Sequence, residues 1–594
     1  MTRRKAGLLA GAAAVLLIFA GGGDQTVTGA GTAVGTPRFS QAVAFDVSAP
    51  FRAAAPTALR RLAPTADVME IRPERDRVVA KDTGYAGDGA LQGAISRLRV
   101  GPSLPAPAVF SFEGLSNQDN FNIFGFRVNP PDPVGDVGPN HYVEMINLAV
   151  GVYDKSGNLL LGPVPIGALW EGFAIDDCTD PSGDPIVIYD QLEDRWLLSQ
   201  FTTRGPVYYD CVAISQTGDP TGAYYRYAFI TQPDPDLPGG TFFPDYPKYG
   251  VWTHSYLMTT RDFGDDDEYG ISVYALEKNK MLAGNPNARA VQFFIDSNVV
   301  PLHLMGDGLL PADIDGTRRP QNHWPAPIVG TQDDDYPYGA TFDALNVFEL
   351  FIKWKATPEA SLTLAAQLPV AEFDSAFPCG PSRGCIPQPG IVNPDQFLDI
   401  LSYRQRPTWR LAYRNFGKYE AMVTNQAVEA RPGIAGVRWY EIRRGDKQTL
   451  DYSLYQQGTY APEDGVHRWM GSIAMDWQGN MALGYSVSNG VDVYPGIRFT
   501  GRLAGDALGE MTLDEGVIIN GTGVQTTTNS RWGDYTSMNV DPIDDCTFWY
   551  VNEYYAVSGL PLPLPPPPLP PPGTTAPWQT RIGSFKMPGC EPKY

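Results

Sequence analysis

SRWGDYTSMNVDPIDDCTFWY, residues 530–550, repeats the skeleton of HRWMGSIAMDWQGNMALGY, residues 467–485. Each stretch carries Arg-Trp (Arg468-Trp469 and Arg531-Trp532), a small-and-apolar run ending in Asp (Asp476 and Asp541), a polar turn, and an apolar run whose Tyr follows the Asp by nine residues. The later copy is longer by two residues between Trp and Asp. Agreement across residues of such different chemistry marks a repeated structural unit, and a repeat governs every later inference about architecture. In each copy the Asp is expected to close a hairpin turn on nearby backbone amides, with the aromatic residues packing between units.

A second phrase recurs as GVYDKSG (151–157), ISVYALEK (271–278), LNVFELFI (345–352) and VRWYEIRR (437–444). Apolar residues alternate with others around Tyr153, Tyr274, Phe348 and Tyr440, the period of a strand with one buried face. These read as the same strand of successive units. Strand–turn–strand patterns place units near 134–165, 184–230, 245–295, 325–370, 405–445, 466–515 and 530–590. Four-stranded sheets of this kind bury both faces only by stacking on one another. The expected fold is therefore all-β, a single β-propeller of seven four-stranded antiparallel blades, with six or eight as alternatives.

Composition agrees. The chain has 594 residues, with 62 Gly, 54 Pro and 12% aromatic residues, a turn-rich and aromatic-packed balance. A formal net charge of −21 disfavours nucleic acid and anionic membrane surfaces, which require clustered cations. Residues 1–22 combine Arg3, Arg4 and Lys5 with a short apolar run and read as a signal peptide. The mature protein is expected to be secreted or periplasmic, with no transmembrane span. Residues 23–108, rich in Ala, Gly, Thr and Pro, read as a loosely ordered extension or spacer, and 109–594 as the propeller. A polyproline loop, residues 559–573, projects from the last unit. Cys178, Cys211, Cys379, Cys385, Cys546 and Cys590 allow three disulfides, and proximity favours 178 with 211, 379 with 385 and 546 with 590.

FEGLSNQDNF, PPDPVGDVGPNHYVEMIN, DPIVIYDQLEDRWLLSQF, WRLAYRNFGKYEAMVTN, RWMGSIAMDWQGNMALGYS and RWGDYTSMNVDPIDDCTFWYVNEYY together resemble a family of secreted bacterial β-propeller proteins of unassigned activity, broadly similar to sialidase and Asp-box propellers. The resemblance runs from about Phe112 to Cys590 and implies an exported propeller. It carries over no catalytic residue.

In a propeller, polar residues at the ends of the inner strands face the ligand funnel. The candidates are Asp136, Asp245, Asp534, Arg410, Arg414, Arg468, Arg498 and Arg531, with Asp313 and Asp315 as metal ligands in half of a calcium-loop pattern. The acidic runs Asp265–Glu268 and Asp333–Asp335 invite the same calcium reading. Two functions follow. One is a secreted binding propeller that presents its funnel or upper loops to an extracellular glycan or protein. The other is a sialidase-like glycoside hydrolase acting on an acidic sugar, with Arg410, Arg498 and Arg531 on the carboxylate and Tyr413 or Tyr535 beside Glu420 as nucleophile and activator.

Overall fold

The computed structural model describes residues 31–53, 68–70, 87–93, 104–233, 240–265, 268–320, 325–335, 338–376, 384–400, 405–445, 451–527, 529–561 and 574–593. The signal-peptide reading and most of the polyproline loop lie outside these residues. The architecture is all-β, with short helices such as Asn117–Phe124 only at connections.

Successive strands fold back on their neighbours as antiparallel meanders. The first sheet runs from Val134–Val137 to Leu159–Pro165, the second from Ile186–Asp190 to Tyr224–Ile230, and the third from Phe243–Val251 to Arg289–Asp296. A fourth meander, Leu310–Asp315 to Glu359–Pro369, joins a fifth, Thr408–Asn415 to Tyr452–Tyr460, through parallel pairing of their first strands. The sixth runs from His467–Met475 to Gly516–Ile519. The last is built from Ser537–Val540, Thr547–Tyr555 and Trp578–Lys586. The recurring aromatic phrase falls on Ala149–Asp154, Tyr269–Glu277, Ala344–Lys353 and Ile434–Arg444, the third strand of its meander each time.

First strands lie side by side, and the series returns on itself. Tyr189 N donates to Asp136 Oδ2 (2.7 Å), Val251 N to Asp313 Oδ1 (2.9 Å), Thr408 Oγ1 to Gly471 O (2.9 Å) and Met538 N to Ser472 Oγ (2.9 Å). Gly135 N then donates to Ser537 Oγ (2.8 Å), joining the last first-strand to the earliest. The repeated stretches meet in this ring. Asp476 Oδ1 accepts from Gln478 N and Asn480 N, and Asp541 Oδ1 from Ile543 N, so each Asp closes its turn. The Trp469 and Trp532 rings pack 5.3 Å apart between the sixth and last sheets. In the later copy, however, Arg531 and Trp532 precede the strand, whereas Arg468 and Trp469 lie within it. The two extra residues take up this difference.

The outermost strand of the last sheet comes from the other end of the chain: Phe110–Ser116 pairs with Trp578–Lys586. Glu144, on the second strand of the first sheet, accepts from Leu115 N (2.8 Å) and Thr580 Oγ1, fastening this closure from the neighbouring sheet. Burial raises the Glu144 carboxyl to about 7, against an ordinary value of 4.5. The folded state therefore holds a proton that the unfolded chain has lost. The associated stability is complete below about pH 4.5 and is lost as pH rises towards about 7, with a slope of at most about 1.4 kcal/mol per unit. Glu144→Gln is expected to flatten the decline in melting temperature between pH 5 and 8, read by thermal denaturation across that range. An unchanged decline would remove Glu144 as its source.

The disulfides Cys178–Cys211 and Cys546–Cys590 are present. Cys385 is also disulfide-bonded, and its expected partner Cys379 lies outside the described residues. Cys546–Cys590 spans 44 residues and ties the chain end to the turn of the last sheet. Replacing both cysteines by serine is expected to cost about 2–4 kcal/mol in denaturant unfolding.

The reading of 23–108 as loosely ordered is corrected over its described parts. Thr32–Ala33 pairs with the outer strand of the fourth sheet, Arg38–Gln41 with that of the third and Ala44–Val47 with that of the second. Asp88 forms a fully buried ion pair with Arg438 (2.7 Å). Gln92 N donates to Thr459 O (2.9 Å) on the outer strand of the fifth sheet, and Asp514 N to Leu104 O (2.8 Å) beside the sixth. Short segments without apolar periodicity still pair when sheet edges offer unused amides and carbonyls.

Candidate functional site

Residues immediately before or within the first strands of five sheets converge at the entry end of the ring. Asp132 precedes the first strand of the first sheet, Asp184 that of the second, Arg406 that of the fifth, and Asp534 and Tyr535 that of the last. Asp245, Tyr246 and Lys248 lie on the first strand of the third. Proline follows Asp132, Asp184, Tyr246 and Arg406, setting the chain extended as it enters the ring. Asp132, Asp184 and Tyr246 have φ of 46°, 44° and 55°. Positive φ on three non-glycine residues costs about 1–3 kcal/mol each, strain of the kind that collects at functional sites.

One network joins these side chains. Asn147 Nδ2 donates to Asp132 Oδ2 (2.6 Å) and Asn147 Oδ1 accepts from Asp184 N (2.9 Å). Asp534 N donates to Asp132 Oδ1 (2.7 Å), and Tyr535 OH to Asp184 Oδ2 (3.0 Å). Lys248 Nζ sits 3.0 Å from the centroid of the Tyr246 ring and 3.2 Å from that of Tyr535. The Arg406 guanidinium stacks 3.8 Å from the Tyr246 centroid. Arg531 Nη2 donates to Asp534 Oδ2 (2.8 Å), and Glu553 accepts from Gly533 N, fixing the turn that presents Asp534.

Burial sets the protonation. Asp184, 7% exposed, has its carboxyl raised well above the ordinary range, first by loss of water and then by the neighbouring charges of Asp245 and Asp132. Asp132 is raised to about 7 by burial and then by Asp534. Glu553 is raised well above its ordinary value, chiefly by burial. Lys248 is lowered well below its ordinary value by burial, against the attraction of Asp184. Asp184, whose carboxyl is raised well above the ordinary range, thus shares a network with Asp534, which is paired with Arg531. Carboxyl groups held in unlike surroundings are what acid–base chemistry draws on.

The sequence candidates separate accordingly. Asp245 and Asp534 belong to the site. Asp136 does not: its oxygens accept from Tyr189 N, Val137 N and Asn539 Nδ2 (each 2.7 Å), and burial raises it to about 8. Arg410 is buried between Asp313 (3.0 Å) and Asp315, so these two aspartates hold a guanidinium in place of calcium. Arg414 pairs with Asp545 (2.7 Å), in the turn that follows the first strand of the last sheet. Arg468 and Arg498 share Glu515 (2.8 and 2.7 Å), while Arg531 serves Asp534 and Asp399 (2.8 and 3.3 Å). The three arginines assigned to an acidic sugar are thus each neutralised by a different set of carboxylates. Tyr413 is fully buried, as is Glu420 to 2%. Tyr535 instead bonds Asp184.

Asp333, Asp334 and Asp343 bring potential metal-ligand atoms within 4.8 Å of one another. Asp343 accepts from Asp334 N and Phe373 N, and Asp333 from Ser375 N and Asp335 N, so backbone amides hold these two carboxylates, while Asp334 is exposed. Among the described residues no helix is long and apolar enough to cross a membrane.

Asp132, Asp184, Tyr246, Lys248, Arg406 and Glu553 escaped the sequence reading. PPDPVGD and DPSGDP were legible as turns, and the recurring X-Pro step before a first strand was the signal available.

No protein-family model and no curated protein matches this chain. Among solved structures it is similar to an α-L-arabinofuranosidase from Fusarium graminearum, at 11% identity over 68% of this chain and 94% of that one, with a TM-score of 0.32. It is similar to an α-L-arabinanase from Penicillium chrysogenum, at 11% identity over 67% and 93%, with a TM-score of 0.30. A thermostable family-43 glycoside hydrolase matches at 11% identity over 57% and 96%, with a TM-score of 0.23. At these TM-scores the likeness decides neither architecture nor chemistry, and both rest on the geometry above.

Proposed function

We propose that the protein is a secreted glycoside hydrolase built on a seven-bladed β-propeller, residues 109–594, preceded by a signal peptide at 1–22. Asp184 is the general acid and Asp534, held by Arg531, is its partner carboxyl. The observation that carries this reading is the convergence of Asp132, Asp184, Asp245 and Asp534 at the entry end of the ring, with the Asp184 carboxyl raised by burial while Arg531 holds Asp534. Glycosidic cleavage needs such a pair, one carboxyl to protonate the leaving oxygen and one to act on the sugar or on water. Asp245, half-buried, is the most exposed carboxylate of the group.

Seven blades are supported by the bonds between neighbouring first strands, with Gly135 N to Ser537 Oγ linking the first and last sheets, and export by the disulfides. An acidic sugar is not favoured, because Arg410, Arg498 and Arg531 are each committed to internal carboxylates. The test is incubation of the purified protein with neutral and acidic polysaccharides, scored for new reducing ends and, separately, for binding. Hydrolysis of a neutral glycan is expected. Saturable binding without new reducing ends on any glycan would replace the hydrolase by a binding propeller.

A further inference from the structure

The N-terminal segment 32–53 crosses three sheet edges with almost no free chain between them. Thr32–Ala33 pairs with the fourth sheet, and Val34 N donates to Leu362 O (2.8 Å) on the same strand. Residues 35–37 intervene before Arg38–Gln41 pairs with Arg289–Asp296 of the third sheet. Then Ala42 N donates to Ala288 O and the very next amide, Val43 N, to Ala228 O (both 2.9 Å), so the hand-over from third to second sheet takes one peptide unit. Ala44–Val47 pairs with Tyr224–Ile230. Beyond it, Ser48 N donates to Tyr224 O (2.9 Å) and Phe51 N to Gly222 O (2.7 Å).

Side chains pin each crossing. Val34 and Phe51 are buried to 1% and 2% exposure. Asp46 takes a two-pronged ion pair from Arg226, Nε to Oδ1 at 2.7 Å and Nη2 to Oδ2 at 2.6 Å. The Arg226 side chain is 6% exposed and also donates to Leu169 O and Glu171 O, so loss of Asp46 would leave a buried cation without its counter-ion. Arg52 adds an exposed pair with Asp219.

We infer that residues 32–53 form a clamp that makes the second, third and fourth sheets one cooperative opening unit. Sheets in a ring touch through side chains and otherwise open separately, as local units of low stability do. Here slack-free main-chain bonds link their outer edges, so release at one edge transmits to the next. The clamp also covers outer strands that would otherwise template pairing with another chain.

The test is hydrogen exchange, read by mass spectrometry, on the full chain and two variants. Asp46→Pro removes both the carboxylate and an amide on the second sheet, and Asp46→Asn weakens only the ion pair. Asp46→Pro is expected to speed exchange at least about tenfold in Tyr224–Ile230 and also in Arg289–Asp296, which residue 46 does not touch, with Met481–Ser488 unchanged. Asp46→Asn should give the same pattern in smaller degree and carries the test if Asp46→Pro does not fold. Faster exchange confined to the second sheet, or no change in either, would mean that the crossings act independently and would overturn the clamp.

Discussion

Asp184→Asn is expected to leave glycan binding intact and to slow turnover about 10²–10⁴-fold, the range a positioned general acid contributes. Asparagine has the shape of the protonated acid, so Tyr535 OH keeps an acceptor and the Asn147 bond to the residue 184 amide is untouched. What disappears is the transferable proton. Because burial and the charges of Asp245 and Asp132 raise the Asp184 carboxyl, wild-type turnover should hold on the acid side of its titration and fall as pH rises through it. The Asp184→Asn variant should lack that alkaline limb. Steady-state rates across pH on the same glycan read both effects. A variant that keeps the wild-type rate removes Asp184 from the chemistry, whatever becomes of the ring.

The second large effect is on stability. Arg410→Ala is expected to cost about 3–5 kcal/mol in urea unfolding, because it leaves Asp313 and Asp315 buried beside each other without the guanidinium that bridges them. The same change also frees Met538 O, which accepts from Arg410 Nη1 (3.2 Å) across to the last sheet. Arg498→Ala is the contrast: its side chain is 17% exposed and Glu515 keeps its bond to Arg468, so a loss within about 1 kcal/mol is expected. Equal losses in the two variants would mean that Arg410 is no more than another partly wet pair. Were Arg410 a ligand contact, its removal would weaken glycan binding while sparing the fold.

Asp476 and Asp541 show how far local chemistry could be read. An aspartate at the start of a hairpin turn bonds the amides two to four positions ahead, an interaction complete within one hairpin, so the turn and the flanking strands were legible. Tyr153, Tyr274, Phe348 and Tyr440 were legible for the same reason: alternation along a strand records which face is buried. The pairing of Arg531 with Asp534 and Asp399 was not legible, because an arginine beside a tryptophan carries no sign of which carboxylate it meets. Residues 32–53 were missed because edge pairing uses backbone groups that every residue possesses.

The sequence alone determined the repeated hairpin, its aspartate-closed turns, the third-strand aromatics and the cysteines available for Cys178–Cys211 and Cys546–Cys590, since each depends on neighbours a few residues away or on proximity along the chain. Tertiary structure decided which carboxylates share a site. Asp132, Asp184 and Asp534 lie far apart in sequence, and only the return of the first strands on themselves brings them into one buried network, where loss of water raises the Asp132 and Asp184 carboxyls.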